Sequence, residues 1–468
     1  MGTGTVKHRR SVLVVRPGNP LRGEVGEGGQ AGLPGDKSLS HRAALLAAMA
    51  DGESQVENLL VAGVTLPLLD GLAALGVPWS LEGNCLRVQG RSLEWEAPIT
   101  AEEAVHINCG NSATTLRLLA GALAAWNRHV VLDGSAGLRR RPMKRIVAPL
   151  QQMGVDIQAT DGCAPLHIRP SLHPLRALDY TLPVASAQVK SCLLLAALAA
   201  DGPTTLHEPG PSRDHTERML RSMGASVESF GGSGASSASL AGVRQWSVRI
   251  EPVHALTPLR LVLPGDISAA TFLIVAALIT PGSEVLLRGV GLNQTRTGVL
   301  DALAQMGADL EITPQGDRHG EPVGDIRARH SALGGAQVGG DLVVRMIDEF
   351  PAFAVAAAYS RERTVVLGAE ELRHKESDRI SDLCQELRKL GVRITETADG
   401  FVVDGSGDLE GGVVQSHGDH RLAMALGVAG LAARSEVRVE GAEMVTESFP
   451  AFESVLQGLG GEVQAEAL

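Results

Sequence analysis

Two kinds of helical segment alternate along the chain, and the pattern of apolar and polar positions distinguishes them. One kind is apolar nearly all round and rich in alanine, as in HRAALLAAMA at 41–50 and RLAMALGVAGLAA at 421–433; such a helix must be buried. The other kind has apolar residues at helical spacing, as at Ile380, Leu383 and Leu387, which predicts an amphipathic helix lying on a core. A polar turn and an alternating stretch follow the alanine-rich segments and predict strands.

The amphipathic segments share one ending, in which Leu or Met is followed by glycine and a short strand. A glycine at this place favours the left-handed conformation that closes a helix C-terminus. The ending recurs about every 70 to 84 residues, at Gly76, Gly154, Gly224, Gly307, Gly391 and Gly460. The repeat predicts six copies of one α/β unit, each made of strand, buried helix, strand, outer helix and strand.

Six units group most simply as three plus three, which predicts two globular domains. We expect the first domain to comprise 1–34 and 264–468, closed by the N-terminal strands around 11–22, and the second to comprise 35–263. The Gly/Ser-rich stretch at 230–242 is predicted to be a surface loop within the third unit.

Composition excludes several classes of protein. A net charge of −11 argues against a general nucleic-acid binder, and no apolar run reaches the length of a membrane span. The start MGTGTVKHRR has no apolar segment behind its basic residues, so we expect a frayed tail and a cytoplasmic protein. The five cysteines show no CxxC or metal-ligand spacing, which indicates reduced structural thiols.

The buried helices begin with unusually polar first turns. These turns read GDKSLSHR, CGNSATTLR, VASAQVKS, GDISAAT, IDEFPAF and HGDHR. If the units share one orientation within each domain, free backbone amides and positive dipole ends converge from both domains into an anion-binding cleft. The simpler alternative for the first helix is an ordinary cap by Asp36, Ser38 or Ser40, with its basic residues facing water.

Basic residues accompany these turns, and two acids stand among them. The basic residues are Lys37, Arg42, Arg117, Arg139, Arg140, Arg141, Arg213, Lys375, Arg379 and Arg421. Asp348 and Glu376 are candidates for general base and acid; the alternatives are a helix cap for Asp348 and an exposed partner of its neighbours for Glu376. The GDKS stretch lacks the P-loop frame, and His417 and His420 lack further ligand-spaced residues, so we expect no metal site.

The motifs LPGDKSLSHR, GNSATTLR, RRRPM, ASAQVKS, SRDHTE, GDISAA, IDEFP, KESDR and GDHR occur in an order that resembles the 5-enolpyruvylshikimate-3-phosphate (EPSP) synthase family over nearly the whole chain. The resemblance implies an inside-out α/β barrel of six units in two globular domains. It also implies transfer of the enolpyruvyl (carboxyvinyl) group of phosphoenolpyruvate to the 5-hydroxyl of shikimate 3-phosphate, in the shikimate pathway to aromatic amino acids. Phosphate is released, and no metal or organic cofactor takes part.

Carried over by position, the resemblance implies roles for individual residues. Asp348 would take the proton of the 5-hydroxyl with help from Lys37, and Glu376 would protonate the methylene carbon of phosphoenolpyruvate. The residues implied for shikimate 3-phosphate are Lys37, Ser38, Arg42, Ser186, Ala187, Gln188, Arg213, Asp348 and Lys375. Those implied for phosphoenolpyruvate are Lys37, Asn111, Ala113, Arg141, Gln188, Arg379 and Arg421.

Three residues depart from the pattern of the family, and there are two alternative functions. Ala113 replaces the glycine of inhibitor-sensitive members and Leu118 a frequent proline, so we expect a glyphosate-tolerant enzyme that binds glyphosate weakly. Glu447 stands where many members have lysine, and no role is carried onto it.

The alternative UDP-N-acetylglucosamine enolpyruvyl transferase has a reactive cysteine in the segment corresponding to DGSAGLRRRPM, where this chain has none. The other alternative is an anion-binding scaffold without activity. The expected partners are the two substrates, with no nucleic acid or membrane, and the expected state is a monomer.

Overall fold

A computed structural model describes residues 10–27, 32–93, 103–231 and 246–467. The predicted frayed tail falls outside these residues except for Arg10. Of the predicted Gly/Ser-rich surface loop, only Phe230 and Gly231 are described.

Strands and short helices alternate throughout the described chain. The strands are β1 Ser11–Arg16, β2 Arg22–Val25, β3 Glu53–Glu57, β4 Trp79–Glu82, β5 Cys85–Gln89, β6 Val105–Asn108, β7 Val130–Asp133, β8 Asp156–Thr160, β9 Cys163–Arg169, β10 Asp179–Thr181, β11 Thr204–Glu208, β12 Val227–Phe230, β13 Trp246–Ile250, β14 Arg260–Val262, β15 Glu284–Gly291, β16 Asp309–Arg318, β17 Glu321–Arg329, β18 Gln337–Val338, β19 Arg363–Val366, β20 Arg393–Thr397, β21 Gly400–Asp404, β22 Gly412–Gln415, β23 Val437–Glu440 and β24 Glu462–Ala467. The α-helices are α1 Lys37–Met49, α2 Leu66–Ala74, α3 Ala113–Trp126, α4 Lys144–Gln152, α5 Ala187–Ala197, α6 His215–Ser222, α7 Ile267–Ile279, α8 Gly298–Gln305, α9 Asp341–Arg345, α10 Phe350–Tyr359, α11 Arg379–Lys389, α12 His420–Gly430 and α13 Phe452–Gly458.

The chain divides into two compact units. Unit 1 comprises 1–34, 265–316 and 322–468, and unit 2 comprises 35–264 and 317–321. The short segment 317–321, at the turn between β16 and β17, therefore belongs to unit 2 although both strands are mainly in unit 1.

Each unit contains three four-stranded sheets of one design. In unit 2 the strand orders are β14-β3-β5-β4, β6-β7-β9-β8 and β10-β11-β13-β12; in unit 1 they are β16-β17-β15-β2, β18-β19-β21-β20 and β22-β23-β1-β24. One parallel strand pair occurs in every sheet. Strands from elsewhere in the chain complete three sheets: β14 pairs with β3, β2 with β15, and β1 with β23 and β24.

The predicted unit of three strands is wrong by one strand. Where the prediction has a single strand after the outer helix, five of the sheets have two neighbouring strands that follow it in the chain. β4 and β5 do alternate between apolar and polar positions, so a periodicity signal for the additional strand was present in the sequence.

The alanine-rich helices form the cores, as predicted. Helices α1, α3 and α5 are almost wholly buried within unit 2, and α7, α10 and α12 within unit 1. Small residues allow these helices to approach closely: a Cβ added to Gly121 of α3 would lie 2.1 Å from the Cys192 carbonyl oxygen of α5. The predicted α/β fold of six repeated units is confirmed.

The outer helices also end as predicted. All six marker glycines lie one residue beyond the C-cap of α2, α4, α6, α8, α11 or α13, with φ between 78° and 102°. After α2, the Val77 amide bonds to the Leu72 carbonyl and the Gly76 amide to the Ala73 carbonyl. This pair of bonds is the Schellman arrangement, in which a residue with positive φ satisfies the last free carbonyls of a helix.

Candidate active site

The alanine-rich helices α1, α3 and α5 of unit 2 begin close together. Side chains of their first turns contact one another. Helix α1 is capped by Asp36, whose carboxylate accepts a hydrogen bond from the Leu39 amide at 2.9 Å. Of the three predicted cap candidates, the structure therefore uses Asp36. The Ser40 hydroxyl instead accepts a hydrogen bond from the Leu60 amide at 3.0 Å.

His41 links α1 to α3. Its Nδ1 lies 2.7 Å from the Lys37 carbonyl oxygen, and its Nε2 lies 2.9 Å from that of Val64 and 3.2 Å from Ser112 Oγ. Burial lowers the pKa of His41 to about 4, although the Lys37 carbonyl opposes this. The neutral ring has one N–H and can donate to only one of the two carbonyls, from Nδ1 to Lys37 or from Nε2 to Val64.

A second contact joins α3 to α5, and we call its residues Thr114, Arg117 and Gln188 the Gln188 cluster. Arg117 Nη1 donates to Gln188 Oε1 at 2.5 Å, and Gln188 Nε2 donates to Thr114 Oγ1 at 2.8 Å. Arg117 Nη2 also donates to the Pro142 carbonyl at 3.1 Å, next to Arg141 in the chain. These bonds fix which end of the Gln188 amide faces Arg117.

Arg42 is buried and links α1 to α5 and α6. Its Nε donates to Thr216 Oγ1 at 2.8 Å, its Nη1 to the Ser38 carbonyl at 2.9 Å and its Nη2 to Ser191 Oγ at 2.8 Å. Arg213 Nη1 donates to Ser38 Oγ at 3.2 Å. The structure thus brings together Ser38, Arg42 and Arg213, all three predicted to contact shikimate 3-phosphate.

The remaining predicted residues of unit 2 lie at or near helix starts. The first residues of α1, α3 and α5 are Lys37, Ala113 and Ala187. Ser186 occupies the N-cap position of α5 without a side-chain cap hydrogen bond, and Asn111 Oδ1 accepts a hydrogen bond from Ser135 at 2.9 Å.

The basic run at 139–141 is not a single binding element. Arg139 is exposed and pairs through two nitrogens with Asp133, and Arg140 is exposed as well. Arg141 is half-buried and follows a short 3₁₀ helix. Of the three, Arg141 is the residue predicted to contact phosphoenolpyruvate.

In unit 1 a buried arginine is surrounded by three carboxylates. The Arg379 side chain is 1% exposed, with Nε 2.7 Å from Asp419 Oδ2, Nη2 2.7 Å from Glu376 Oε2 and Nη1 3.3 Å from Asp348 Oδ1. Together with Arg421, these residues form what we call the Arg379 cluster. Burial lowers the pKa of Arg379, but the carboxylates of Asp419, Glu376 and Asp348 raise it by more, so the net direction is upward.

Arg421, in the first turn of α12, contacts Asp348 through two nitrogens. Its Nη1 donates to the Asp348 carbonyl at 3.0 Å, and its Nη2 lies 3.8 Å from Asp348 Oδ2. The buried Nε of Arg421 has no hydrogen-bond partner among the residues the structure describes. Asp419 accepts a hydrogen bond from the Arg421 amide at 2.8 Å, so it holds the side chain of Arg379 and the backbone of Arg421.

Asp348 neither opens nor caps a buried helix, and both expectations are wrong. Helix α10 begins at Phe350, with Glu349 at the N-cap position, because Pro351 favours the first turn and has no amide hydrogen to be satisfied. Glu376 does pair with its neighbour Arg379, but its side chain is only 20% exposed.

A second buried network joins the starts of α7 and α10, and the sequence interpretation missed it. The Ser268 hydroxyl donates to Glu349 Oε1. Arg296 Nη2 donates to Ser268 Oγ at 2.7 Å and to Asp266 Oδ1 at 3.2 Å. Glu349 directly follows Asp348, so this network anchors the backbone on one side of that carboxylate.

Lys375, a predicted site residue, and Glu447, one of the residues that depart from the family's pattern, lie at the ends of short 3₁₀ helices. Lys375 follows the helix Glu370–His374 and directly precedes Glu376. Glu447, to which no role is assigned, ends the helix Ala442–Glu447.

The described residues hold no group of three or more His, Cys, Asp or Glu side chains arranged as a metal site. In the described chain, no helix is both long and apolar enough to cross a membrane.

The chain is similar to proteins of one enzyme family over nearly its whole length. Residues 15–456 match the sequence model of the family described as EPSP synthase (3-phosphoshikimate 1-carboxyvinyltransferase). The chain is 45% identical over 447 residues to 3-phosphoshikimate 1-carboxyvinyltransferase of Citrifermentans bemidjiense, covering 95% of this chain and 98% of the relative. Identity to the protein of that name from Geobacter sulfurreducens is 46% over 444 residues, again covering 95% and 98%. The solved EPSP synthase of Acinetobacter baumannii has a TM-score of 0.82 at 37% identity, covering 97% of this chain and 100% of that one.

Proposed function

The chain belongs to the EPSP synthase family, and from this premise we propose how it transfers the enolpyruvyl group of phosphoenolpyruvate to the 5-hydroxyl of shikimate 3-phosphate. The observation that carries the assignment of roles is the Arg379 cluster, in which two carboxylates and two arginines of the KESDR, IDEFP and GDHR motifs contact one another. Such a group can bind an anion and exchange protons with it.

Arginines supply most of the binding to phosphoenolpyruvate in this proposal. A carboxylate and a phosphate both fit the planar fork of a guanidinium, which donates two parallel hydrogen bonds. The buried Nε of Arg421 supports this role, because a ligand oxygen would satisfy it. The residues assigned to phosphoenolpyruvate are Lys37, Asn111, Ala113, Arg141, Gln188, Arg379 and Arg421.

For shikimate 3-phosphate, the proposal rests on the contacts within unit 2. The Ser38 hydroxyl and the Arg213 guanidinium already lie 3.2 Å apart, so one phosphate group can reach both. The positive dipole end at the start of α1 adds to the attraction for a dianion. The assigned residues are Lys37, Ser38, Arg42, Ser186, Ala187, Gln188, Arg213, Asp348 and Lys375.

Asp348 is the proposed proton acceptor. Arg379 and Arg421 lie 3.3 Å and 3.8 Å from its two carboxylate oxygens, and these cations stabilise the ionised form that can accept a proton. Removal of the proton from the 5-hydroxyl, with help from the Lys37 ammonium, makes the oxygen a nucleophile toward C2 of phosphoenolpyruvate.

Glu376 is the proposed proton donor. When the substrate carboxylate binds Arg379, it competes with Glu376 for the guanidinium and so favours a protonated Glu376. That proton goes to the methylene carbon, and C2 joins the oxygen to give a tetrahedral intermediate with a methyl group. Loss of a methyl proton and of phosphate then restores the double bond in the product.

Tolerance of glyphosate is a further part of the proposal. Ala113 begins α3 and is 3% exposed, so its methyl group adds bulk at the helix start where a sensitive enzyme has glycine. Glyphosate is longer than phosphoenolpyruvate and would be crowded more by this methyl group.

We also place the enzyme in the cytoplasm as a monomer. The five cysteines are free thiols, as expected in a reducing compartment. All proposed substrate contacts come from one chain. Light scattering of the purified protein would test the monomer directly, with a dimer mass as the contradicting result.

Phosphate release tests the activity. Purified protein is mixed with phosphoenolpyruvate and either shikimate 3-phosphate or UDP-N-acetylglucosamine, and inorganic phosphate is followed over time. The proposal predicts sustained release with shikimate 3-phosphate alone. Release with the nucleotide sugar would favour the sister transferase, and release with neither acceptor would favour a silent scaffold.

A further inference from the structure

Lys190 of the ASAQVKS motif is buried beside two carboxylates. The residue is 2% exposed. Its Nζ lies 2.7 Å from Glu208 Oε1, 2.7 Å from Glu217 Oε1 and 3.3 Å from the Ser212 carbonyl oxygen. We call Lys190, Glu208, Ser212 and Glu217 the Lys190 cluster.

The cluster ties three elements of unit 2 to α5. Glu208 ends β11, Ser212 lies in the segment between β11 and α6, and Glu217 lies in the first turn of α6. The Ser212 hydroxyl also donates to Glu208 Oε2. The segment that carries Ser212 is thus held at both its backbone and its side chain.

This segment also carries Arg213, the next residue, whose Nη1 reaches Ser38 Oγ at 3.2 Å. A parallel set of bonds starts from Ser191, the neighbour of Lys190: Ser191 Oγ lies 2.6 Å from Thr216 Oγ1 and accepts from Arg42 at 2.8 Å. Ser191 of α5 thus contacts Arg42 directly, and its neighbour Lys190 contacts Ser212, the residue that precedes Arg213.

Burying these charges is unfavourable unless they are paired. Burial lowers the pKa of Lys190, but Glu217 and Glu208 raise it by more, so the lysine stays charged. Burial also raises the pKa of Glu217, whose Oε2 has no hydrogen-bond partner among the described residues. A well-packed apolar group would be a simpler core at this place, which suggests that the charges serve to specify a geometry.

We propose that Lys190 is a positioning residue that places Arg213 for the phosphate group of shikimate 3-phosphate. The inference rests on the proposed function, since it takes Arg213 as a contact of that substrate. Lys190 itself does not touch substrate in this proposal; it acts through the 209–214 segment and the first turn of α6.

The test compares Lys190→Met with Ser212→Ala, which removes one hydroxyl contact and leaves every charge in place. We expect the KM for shikimate 3-phosphate to rise about tenfold or more in Lys190→Met and about threefold in Ser212→Ala, while kcat and the KM for phosphoenolpyruvate change less than about twofold. Ser212→Thr, which restores a hydroxyl, should recover most of the wild-type value.

Ser54→Ala is the matched control, because Ser54 is fully buried in unit 2 and its hydroxyl accepts a hydrogen bond from the Leu259 amide at 2.9 Å. It should lower thermal stability without changing either KM. Equal KM values for shikimate 3-phosphate in the wild type, Lys190→Met and Ser212→Ala would overturn the inference. If Lys190→Met fails to fold, the KM values of Ser212→Ala and Ser212→Thr for shikimate 3-phosphate test the inference without it.

Calorimetric binding of shikimate 3-phosphate separates this inference from the proposed function, because it needs no turnover. A wild type that binds the substrate without releasing phosphate would contradict the proposed function and leave the comparison of variants valid. Unchanged affinity in Ser212→Ala beside an active wild type would contradict the positioning role only.

Discussion

Asp419 holds Arg379 through two oxygens, with Oδ2 2.7 Å from Nε and Oδ1 3.3 Å from Nη2. Both side chains are almost completely buried. The same carboxylate caps α12 at the Arg421 amide. One acid therefore fixes both arginines of the Arg379 cluster, and the two acids proposed for proton transfer contact those arginines in turn.

Loss of the charge of Asp419 should weaken both stability and binding. We expect Asp419→Asn to lower the free energy of unfolding by about 3 kcal/mol, because it leaves Arg379 without its most buried partner. The KM for phosphoenolpyruvate should rise about tenfold or more. Asp408→Asn, at an exposed pair with Arg434, should change stability by less than about 1 kcal/mol. Urea unfolding measures the change in stability, and steady-state kinetics measures the change in KM. An Asp419→Asn variant whose stability and KM match those of Asp408→Asn would contradict the role of Asp419.

Asp348→Asn should lose the proton acceptor and keep the volume of the side chain. We expect kcat to fall at least about 100-fold, the usual size of a general-base effect. Asp341→Asn, an exposed acid of the same unit, serves as the control and should turn over normally. Near-normal phosphate release by Asp348→Asn would remove this residue from the mechanism.

The buried His41 should make stability depend on pH. Its pKa is lowered from 6.5 to about 4 by burial, so between these values the unfolded chain binds a proton that the folded chain does not. Stability is therefore lost as the pH falls through this window, by about 2.5 kcal/mol between pH 7 and pH 4.5. Urea unfolding should show this loss in the wild type and in the exposed control His173→Gln. A His41→Gln variant with the same acid-dependent loss would contradict the assignment.

Removal of the Ala113 methyl group should increase sensitivity to glyphosate. One methyl group in a tight site changes binding about tenfold, so the glyphosate concentration for half inhibition should fall by that factor in Ala113→Gly. The KM for phosphoenolpyruvate should change less. Ala120→Gly, in the middle of the same helix, controls for the effect of glycine on α3. Unchanged inhibition in Ala113→Gly, or inhibition of the wild type at low micromolar glyphosate, would contradict tolerance through this residue.

The repeat was predictable from the sequence because its determinants are local. Helical periodicity, alanine content and the Leu-Gly or Met-Gly endings each act within a few residues. The second strand of each hairpin was missed, although a turn signal was available: Asp161 and Gly162, both with positive φ, join β8 to β9, and Asp-Gly is a strong hairpin turn.

The candidate residues were predictable as motifs, whereas their contacts were not. Asp419 lies forty positions from Arg379 in the chain, and Lys190 contacts carboxylates that follow it by 18 and 27 positions. No local pattern marks such pairs, because they form only when separate helices pack. For Asp348 a local pattern was misleading. Its position before an apolar segment indicated a helix cap, but with Pro351 in the first turn the helix begins at Phe350, two residues after Asp348.

Deuterium incorporation tests the central claim, that Glu376 protonates the methylene carbon of phosphoenolpyruvate. In heavy water the transient methyl group carries one solvent deuteron, so elimination should leave deuterium in the vinyl group of the product made by the wild type. Mass spectrometry of the product and of recovered phosphoenolpyruvate, compared with Glu376→Gln, measures the rate of this step. We predict at least about a 100-fold slower incorporation in the variant. Incorporation by Glu376→Gln at the wild-type rate would contradict the account.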